Sequence, residues 1–135
     1  MAFRFSARSI NNLIGVHPYL VEIAHEALKR VPYDFIVTCG VRSMAEQRRM
    51  VAKGASRTMQ SYHLRQEDGY GHAIDIAIIH PNGGVTWENK FYEEEAKIFL
   101  DIAKKKGYRL TWGGEWKKLY DTPHFQLSDR YLPIS

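Results

Sequence analysis

Residues 112–127 gather Trp112, Gly113, Gly114, Glu115, Trp116, Asp121, Pro123 and His124 into one short stretch. Asp121 and His124 stand three apart, a spacing that lets one residue bind a metal while its neighbour handles protons. One segment cannot close such a site, because a mononuclear catalytic zinc takes three protein ligands and keeps a position open for water. Two more residues have suitable chemistry. His63 lies in a polar stretch without periodicity, 55–71, of the length that in compact domains usually serves function. Asp75 interrupts the apolar run 72–79, where a carboxylate is costly unless it meets a cation, a donor or a metal. His63, Asp75 and His124 offer two imidazoles and a carboxylate, a ligand set suited to catalytic zinc. Zinc acidifies its bound water and polarises a carbonyl. Asp121, not a ligand in this reading, would move the proton from that water to a leaving amine, and Arg42 would stabilise an oxyanion. Spacing alone leaves the set open. Six histidines allow rival combinations, and each residue also has a purely structural reading.

The elements that must position these groups are legible from periodicity and punctuation. Leu20, Val21, Ala24 and Leu28 repeat at helical spacing and predict a helix over 18–30, with His17 just before it and His25 near its polar side. Both histidines read as surface residues. Pro32 ends that helix, and 35–39 reads as a short buried strand ending at Cys39, taken as a small buried hydrophobe. Ser43 and Glu46 form a capping box that starts a helix ending at Gly54, so Arg42 sits at a strand-to-helix junction. A strand follows over 72–79, then a turn over 80–84 that includes His80. Tyr92, Ala96, Phe99, Leu100 and Ala103 mark one face of a helix over 88–106, where Lys104, Lys105 and Lys106 complement the C-terminal dipole. Strands are expected over 108–112 and 124–127. Residues 3–13 read as a lead-in helix or arm, and 128–135 carries no strong pattern.

Composition bounds the rest. A chain of 135 residues, 44% hydrophobic and 25% charged, is expected to be one domain, 1–135, with a core that needs no staples. The single cysteine excludes an intramolecular disulfide and is compatible with a reducing compartment. The opening residues are too polar for a signal peptide, and no stretch approaches a membrane span. The net charge of +4 suits a polyanionic partner without choosing one. No basic-aromatic stripe or nucleic-acid motif is present, so no nucleic-acid partner is expected.

Several ordered motifs resemble the zinc D-Ala-D-Ala carboxypeptidase and dipeptidase group, above all its phage endolysin branch, the L-alanyl-D-glutamate endopeptidases. Ser61-Tyr62-His63 resembles the family's Ser-x-His, Gly71 through Asp75 its Gly-x-Ala-x-Asp, and Asp121 through His124 its Asp/Glu-x-x-His. Gly40-Val41-Arg42-Ser43 with Glu46-Gln47, and Gly15-Val16-His17-Pro18, are also similar to that branch. The resemblance implies an α+β fold of the hedgehog and D-Ala-D-Ala peptidase type, a small antiparallel sheet with packed helices. It implies Zn2+ held by His63, Asp75 and His124, with Asp121 as base and Arg42 at the substrate or oxyanion. It favours His63 over His72, which occupies a variable slot. The implied activity is hydrolysis of the L-Ala–D-Glu bond of the peptidoglycan stem peptide by a monomer, with lysis of the cell. That protein would be held in the host cytoplasm until released to the wall, without membrane insertion. The alternatives are D-Ala-D-Ala cleavage and a non-enzymatic wall-binding module on the same fold. One departure stands out: seven residues, 64–70, fill a gap where the family usually has two. They must loop out if His63 and Asp75 are to keep their places. They either form a tolerated surface insertion, reshape or close over the groove, or supply an unexpected ligand such as Asp68.

Overall fold

The computed structural model describes residues 3–55, 61–116 and 120–127; the 128–135 tail and part of the 55–71 stretch lie outside them. The elements run α1 (Ala7–Leu13), α2 (Pro18–Arg30), β1 (Phe35–Cys39), α3 (Met44–Ala52), β2 (Ala73–Ile79), β3 (Val85–Thr86), α4 (Asn89–Lys106), β4 (Leu110–Trp112), a 3-10 turn (Gly113–Glu115) and β5 (His124–Leu127). The lead-in helix, the four predicted strands and the three longer helices therefore form close to their expected bounds. The two-residue β3 is an addition. It pairs with the far end of β2, where the Tyr92 hydroxyl accepts from the Ile78 amide at 3.0 Å and donates to the Thr86 carbonyl at 2.7 Å.

The sheet is antiparallel in the order β1-β2-β5-β4. Its architecture follows from alternation along each strand. Ile74, Ile76 and Ile78 of β2 share one face with Phe35 and Val37 of β1 and with Phe125 and Leu127 of β5. Against that face pack Leu20, Ile23, Ala24 and Ala27 of α2 and Ala96, Phe99, Ile102 and Ala103 of α4. The Phe99 and Phe125 rings stack at 4.3 Å. Removing these side chains from water is the main stabilising term. The opposite face of β2 carries Asp75, and the same alternation puts His124 and Gln126 beside it from β5. One layer of the fold is thus core, and the other face of the same strands is free for chemistry.

Helix ends are built as the sequence indicates. The Ser43 hydroxyl accepts from the Glu46 amide and Glu46 accepts from the Ser43 amide, the reciprocal capping box. His17 departs from its expected surface place. It is buried at the N-cap of α2, where Nδ1 accepts from the Tyr19 amide at 3.0 Å. The ring thus satisfies one of the first-turn amides of α2 as its cap. His25 is exposed, edge-on to Phe5. His80 is a turn residue whose Nδ1 accepts from the Asn82 amide.

Candidate metal centre

β2 and β5 place Asp75 directly opposite His124, and their side chains meet, His124 Nδ1 lying 2.9 Å from Asp75 Oδ1. His63 arrives from the preceding loop, with Nε2 3.4 Å from Asp75 Oδ2. The loop is fixed by its backbone: the Arg42 amide donates to the His63 carbonyl at 2.8 Å and the His72 amide to the Tyr62 carbonyl at 2.8 Å. Both histidine rings are buried, and their centroids are 5.1 Å apart.

The far nitrogen of each ring is anchored on an oxygen. His63 Nδ1 is 2.8 Å from the Gly40 carbonyl, and His124 Nε2 is 2.8 Å from Gln126 Oε1. A carbonyl oxygen can only accept, so those nitrogens carry the hydrogens. The lone pairs of the two neutral rings then face Asp75. Each ring thus turns a lone pair on one Asp75 oxygen, and the two repel unless a positive charge sits between them. Without a metal, protons supply it. Burial opposes charge on His63, but its hydrogen bonds to Asp75 and Cys39 raise its pKa to about 10. Burial likewise disfavours the Asp75 carboxylate, yet hydrogen bonds from His124 and His63 hold it well below the usual carboxylate range. A divalent cation satisfies the same demand with neutral rings. Ligands about 2.0–2.1 Å from a tetrahedral zinc stand roughly 3.3–3.4 Å apart. The His63–Asp75 separation is 3.4 Å and the His124–Asp75 separation 2.9 Å. Among the described residues, the groups whose possible ligand atoms all fall within 4.8 Å are Cys39–His63–Asp75 and Asp75–Asp121–His124, so Asp75 is shared and the two histidines stand in different groups. The types of donor and the anchoring of both rings suit a metal.

Asp121 lies beside this cluster, in a group with Asp75 and His124 whose possible ligand atoms all fall within 4.8 Å. The residue is exposed, but its carboxyl sits amid cleft atoms. Its pKa is raised, first by desolvation and then by the Asp75 charge, with His124 and His63 partly offsetting. Its segment is held by the aromatic-glycine turn. The Asp121 amide donates to the Gly113 carbonyl at 3.0 Å, and a Cβ at Gly113 would collide with the Asp121 carbonyl. Trp112 Nε1 donates to the Thr122 carbonyl at 2.7 Å, and the Trp116 ring lies 5.2 Å from His124.

Arg42 sits half-buried between β1 and α3. Its Nη1 donates to Gln47 Oε1 at 2.7 Å, and Nη2 lies 3.6 Å from Cys39 Sγ. The reading of Cys39 as a buried hydrophobe is corrected here. The register shifts between Val37 and Cys39, so Cys39 rather than Thr38 stands opposite Asp75. The thiol is half-buried, 3.7 Å from His63 Nδ1, and forms a second potential ligand group with His63 and Asp75. Strict alternation puts Cys39 in phase with core residues Phe35 and Val37. The shift turns it to the other face, and no local sequence signal announces that.

The 64–70 insertion leaves His63 and Asp75 together and folds on itself. The Gln66 amide donates to the Tyr70 carbonyl at 2.9 Å, Arg65 pairs with Gly71, and the Arg65 guanidinium donates to the Gly69 carbonyl at 2.6 Å. Asp68 turns away from the Asp75 cluster. It lies 2.8 Å from His72 Nε2 and 3.8 Å from His17 Nε2, so it anchors the insertion rather than joining the candidate ligands.

The family described as phage L-alanyl-D-glutamate peptidase matches residues 1–128. The chain is similar to the L-alanyl-D-glutamate peptidase of Escherichia phage T5, 32% identical over 86% of this chain and 83% of that one. It is also similar to the peptidoglycan L-alanyl-D-glutamate endopeptidase CwlK of Bacillus subtilis (strain 168), 30% identical over 83% and 73% of the two chains. The crystal structure of the Serratia marcescens L-Ala D-Glu endopeptidase ChiX superposes with a TM-score of 0.85 at 45% identity, covering 98% of this chain and 96% of that one.

Proposed function

Because the chain belongs to the phage L-alanyl-D-glutamate peptidase family, we propose that it is a zinc-dependent endopeptidase that hydrolyses the L-Ala–D-Glu bond of the peptidoglycan stem peptide. The observation that carries the metal assignment is the orientation of His63 and His124. Each is anchored through its far nitrogen and turns its other nitrogen on Asp75. In this reading His63, Asp75 and His124 hold the metal, which when bound would polarise the scissile carbonyl and acidify the attacking water. Asp121 takes the proton from that water as its oxygen attacks the L-Ala carbonyl carbon, and returns it to the D-Glu nitrogen as the C–N bond breaks. The raised pKa of Asp121 matches a group that must both accept and release a proton. Arg42, oriented by Gln47, directs its charge at the developing oxyanion or at a stem-peptide carboxylate.

Among the described residues no helix is long and apolar enough to cross a membrane. In the proposed role the protein, as a single monomeric domain, is made inside the host and reaches the wall through a separate membrane lesion, aided there by its net charge of +4. The test is a turbidity assay on permeabilised Gram-negative cells, with chelator and with zinc added back, alongside terminus analysis of digested sacculi. Chelator-sensitive lysis with new D-Glu amino termini is expected. Release of free D-Ala would redirect the assignment to D-Ala-D-Ala cleavage, binding without release to a wall-binding module, and chelator-resistant lysis would remove the metal mechanism.

A further inference from the structure

A groove of about 380 Å³ opens between the start of α3 and the 64–70 insertion, within the roughly 300–1,000 Å³ of pockets that take small ligands. Val41, Met44 and Leu64 give it apolar surface, and Arg42, Arg65 and Glu46 give it charge. Arg42 belongs both to this groove and to the surroundings of the metal centre. Its amide donates to the carbonyl of the proposed ligand His63, and its Nη2 donates to Cys39 Sγ at 3.6 Å. That sulfur lies within 4.8 Å of a carboxylate oxygen of Asp75. Arg65 stands two residues beyond His63, so at most about 7 Å separates their Cα atoms. Its Nη1 donates to the Gly69 carbonyl at 2.6 Å, and Gly15 and Val41 close in around the guanidinium: a Cβ on Gly15 would lie 3.1 Å from both Arg65 Nη2 and Val41 Cγ2. A guanidinium offers several N–H groups. Among the described residues, protein acceptors engage two of them on Arg42 and one on Arg65. Glu46 is engaged by the Ser43 amide.

The charge of the groove selects one side of the scissile bond. On the acyl side of an L-Ala–D-Glu bond stand a methyl group and a lactyl ether, both uncharged. On the amino side D-Glu keeps a free α-carboxylate, because the stem peptide runs on through its side chain. The residue after it is a diamino acid. In meso-diaminopimelate its side chain ends in a further carboxylate, and in L-lysine it does not. The D-Glu carboxylate hangs on the atom next to the scissile nitrogen, which puts it beside the metal centre, where Arg42 stands. The diamino acid lies farther out by more than one residue-length, about 3.5 Å, where Arg65 supplies the second cation. A guanidinium fork matches a carboxylate through two parallel N–H bonds. The methylenes of the segment suit Met44 and Leu64, and the ammonium common to both diamino acids suits Glu46.

We propose that the Arg42–Arg65 groove holds the acidic segment on the amino side of the cut, and that Arg65, supplied by the 64–70 insertion, is a specificity residue for a diamino acid bearing a side-chain carboxylate. This assignment rests on the peptidase reading above. The test titrates the full-length, zinc-loaded, 15N-labelled protein with γ-D-glutamyl-meso-diaminopimelyl-D-alanine and with its L-lysine counterpart, neither of which has the scissile bond. Both probes should shift the Arg42 Nε resonance. The meso-diaminopimelyl probe should shift that of Arg65 as well and bind about two- to fivefold more tightly, the scale of an exposed ion pair. Arg65→Gln should bring the two affinities together, and Arg65→Lys, which keeps the charge, should retain part of the difference. The ratio of kcat/KM on the two stem peptides should follow the same order. Equal affinities in the unsubstituted protein, or a preference that survives Arg65→Gln, would overturn the specificity role. No shift at either arginine in a protein that cuts the stem peptide would overturn the groove and leave the peptidase reading standing. A preference that depends on Arg65 in a protein that cuts neither stem peptide would uphold the groove and remove the peptidase reading instead.

Discussion

His124 meets Asp75 through Nδ1 at 2.9 Å and Gln126 through Nε2 at 2.8 Å, so one side chain two residues along β5 sets the tautomer of a proposed ligand. Gln126→Leu removes that acceptor while keeping an unbranched-to-branched apolar volume of similar size. Zinc affinity should fall about 10- to 100-fold, as for other residues that orient a ligating histidine. Competition with a chromogenic chelator measures it, and an unchanged affinity would remove Gln126 from the site.

Metal binding and proton transfer are assigned to different residues and should separate. Asp121→Asn is expected to retain stoichiometric zinc and to lose kcat about 10²- to 10⁴-fold, the usual range for a general base. His124→Ala should lose both metal and activity. Metal content by elemental analysis, set beside turnover on sacculi, checks the pair. A fully active Asp121→Asn would refute the base assignment.

Asp68 ties the 64–70 insertion to His72 and His17. Asp68→Ala leaves the buried His72 nitrogen without that carboxylate and should cost about 1–3 kcal/mol. Amide hydrogen exchange should quicken at Gly69 and Tyr70, and zinc affinity should change little because Asp68 does not face Asp75. A loss of metal as large as that of His124→Ala would mean that the insertion holds the site in place.

Glu95 gives a pH signature remote from the metal. It is fully buried, and among the described residues neither carboxylate oxygen has a hydrogen-bond partner of good geometry, the Tyr33 backbone being the group that favours its charged form. Burial, with the charges of Glu94 and Asp34, raises its pKa to about 9, from an ordinary value of 4.5. Between these values the native state holds a proton that the unfolded state has released. Its contribution to stability is therefore full below pH 4.5 and lost as pH rises through about 9. Glu95→Gln should raise the urea midpoint at pH 8 and leave it nearly unchanged at pH 4. Parallel pH profiles for the two proteins would show that Glu95 ionises normally.

Sequence alone determined whatever is encoded over a few neighbouring residues. The Ser43–Glu46 capping box and the helix faces depend on i to i+4 spacing and on local backbone preference. Asp75 stood out because a carboxylate inside an apolar run must find a partner wherever the chain leads. Ordered motifs named His63, Asp121 and His124 beside it. Tertiary structure decided what depends on pairing at a distance. The register shift in β1 exchanged Thr38 for Cys39 opposite Asp75, and the pairing of β2 with β5 brought His124 onto Asp75. The approach of α2 to the insertion buried His17 and gave Asp68 its partner. Most of these contacts join residues far apart in the chain. Only the packed sheet fixes which side chains face one another across it, because a one-residue slip sends every side chain of a strand to the opposite face.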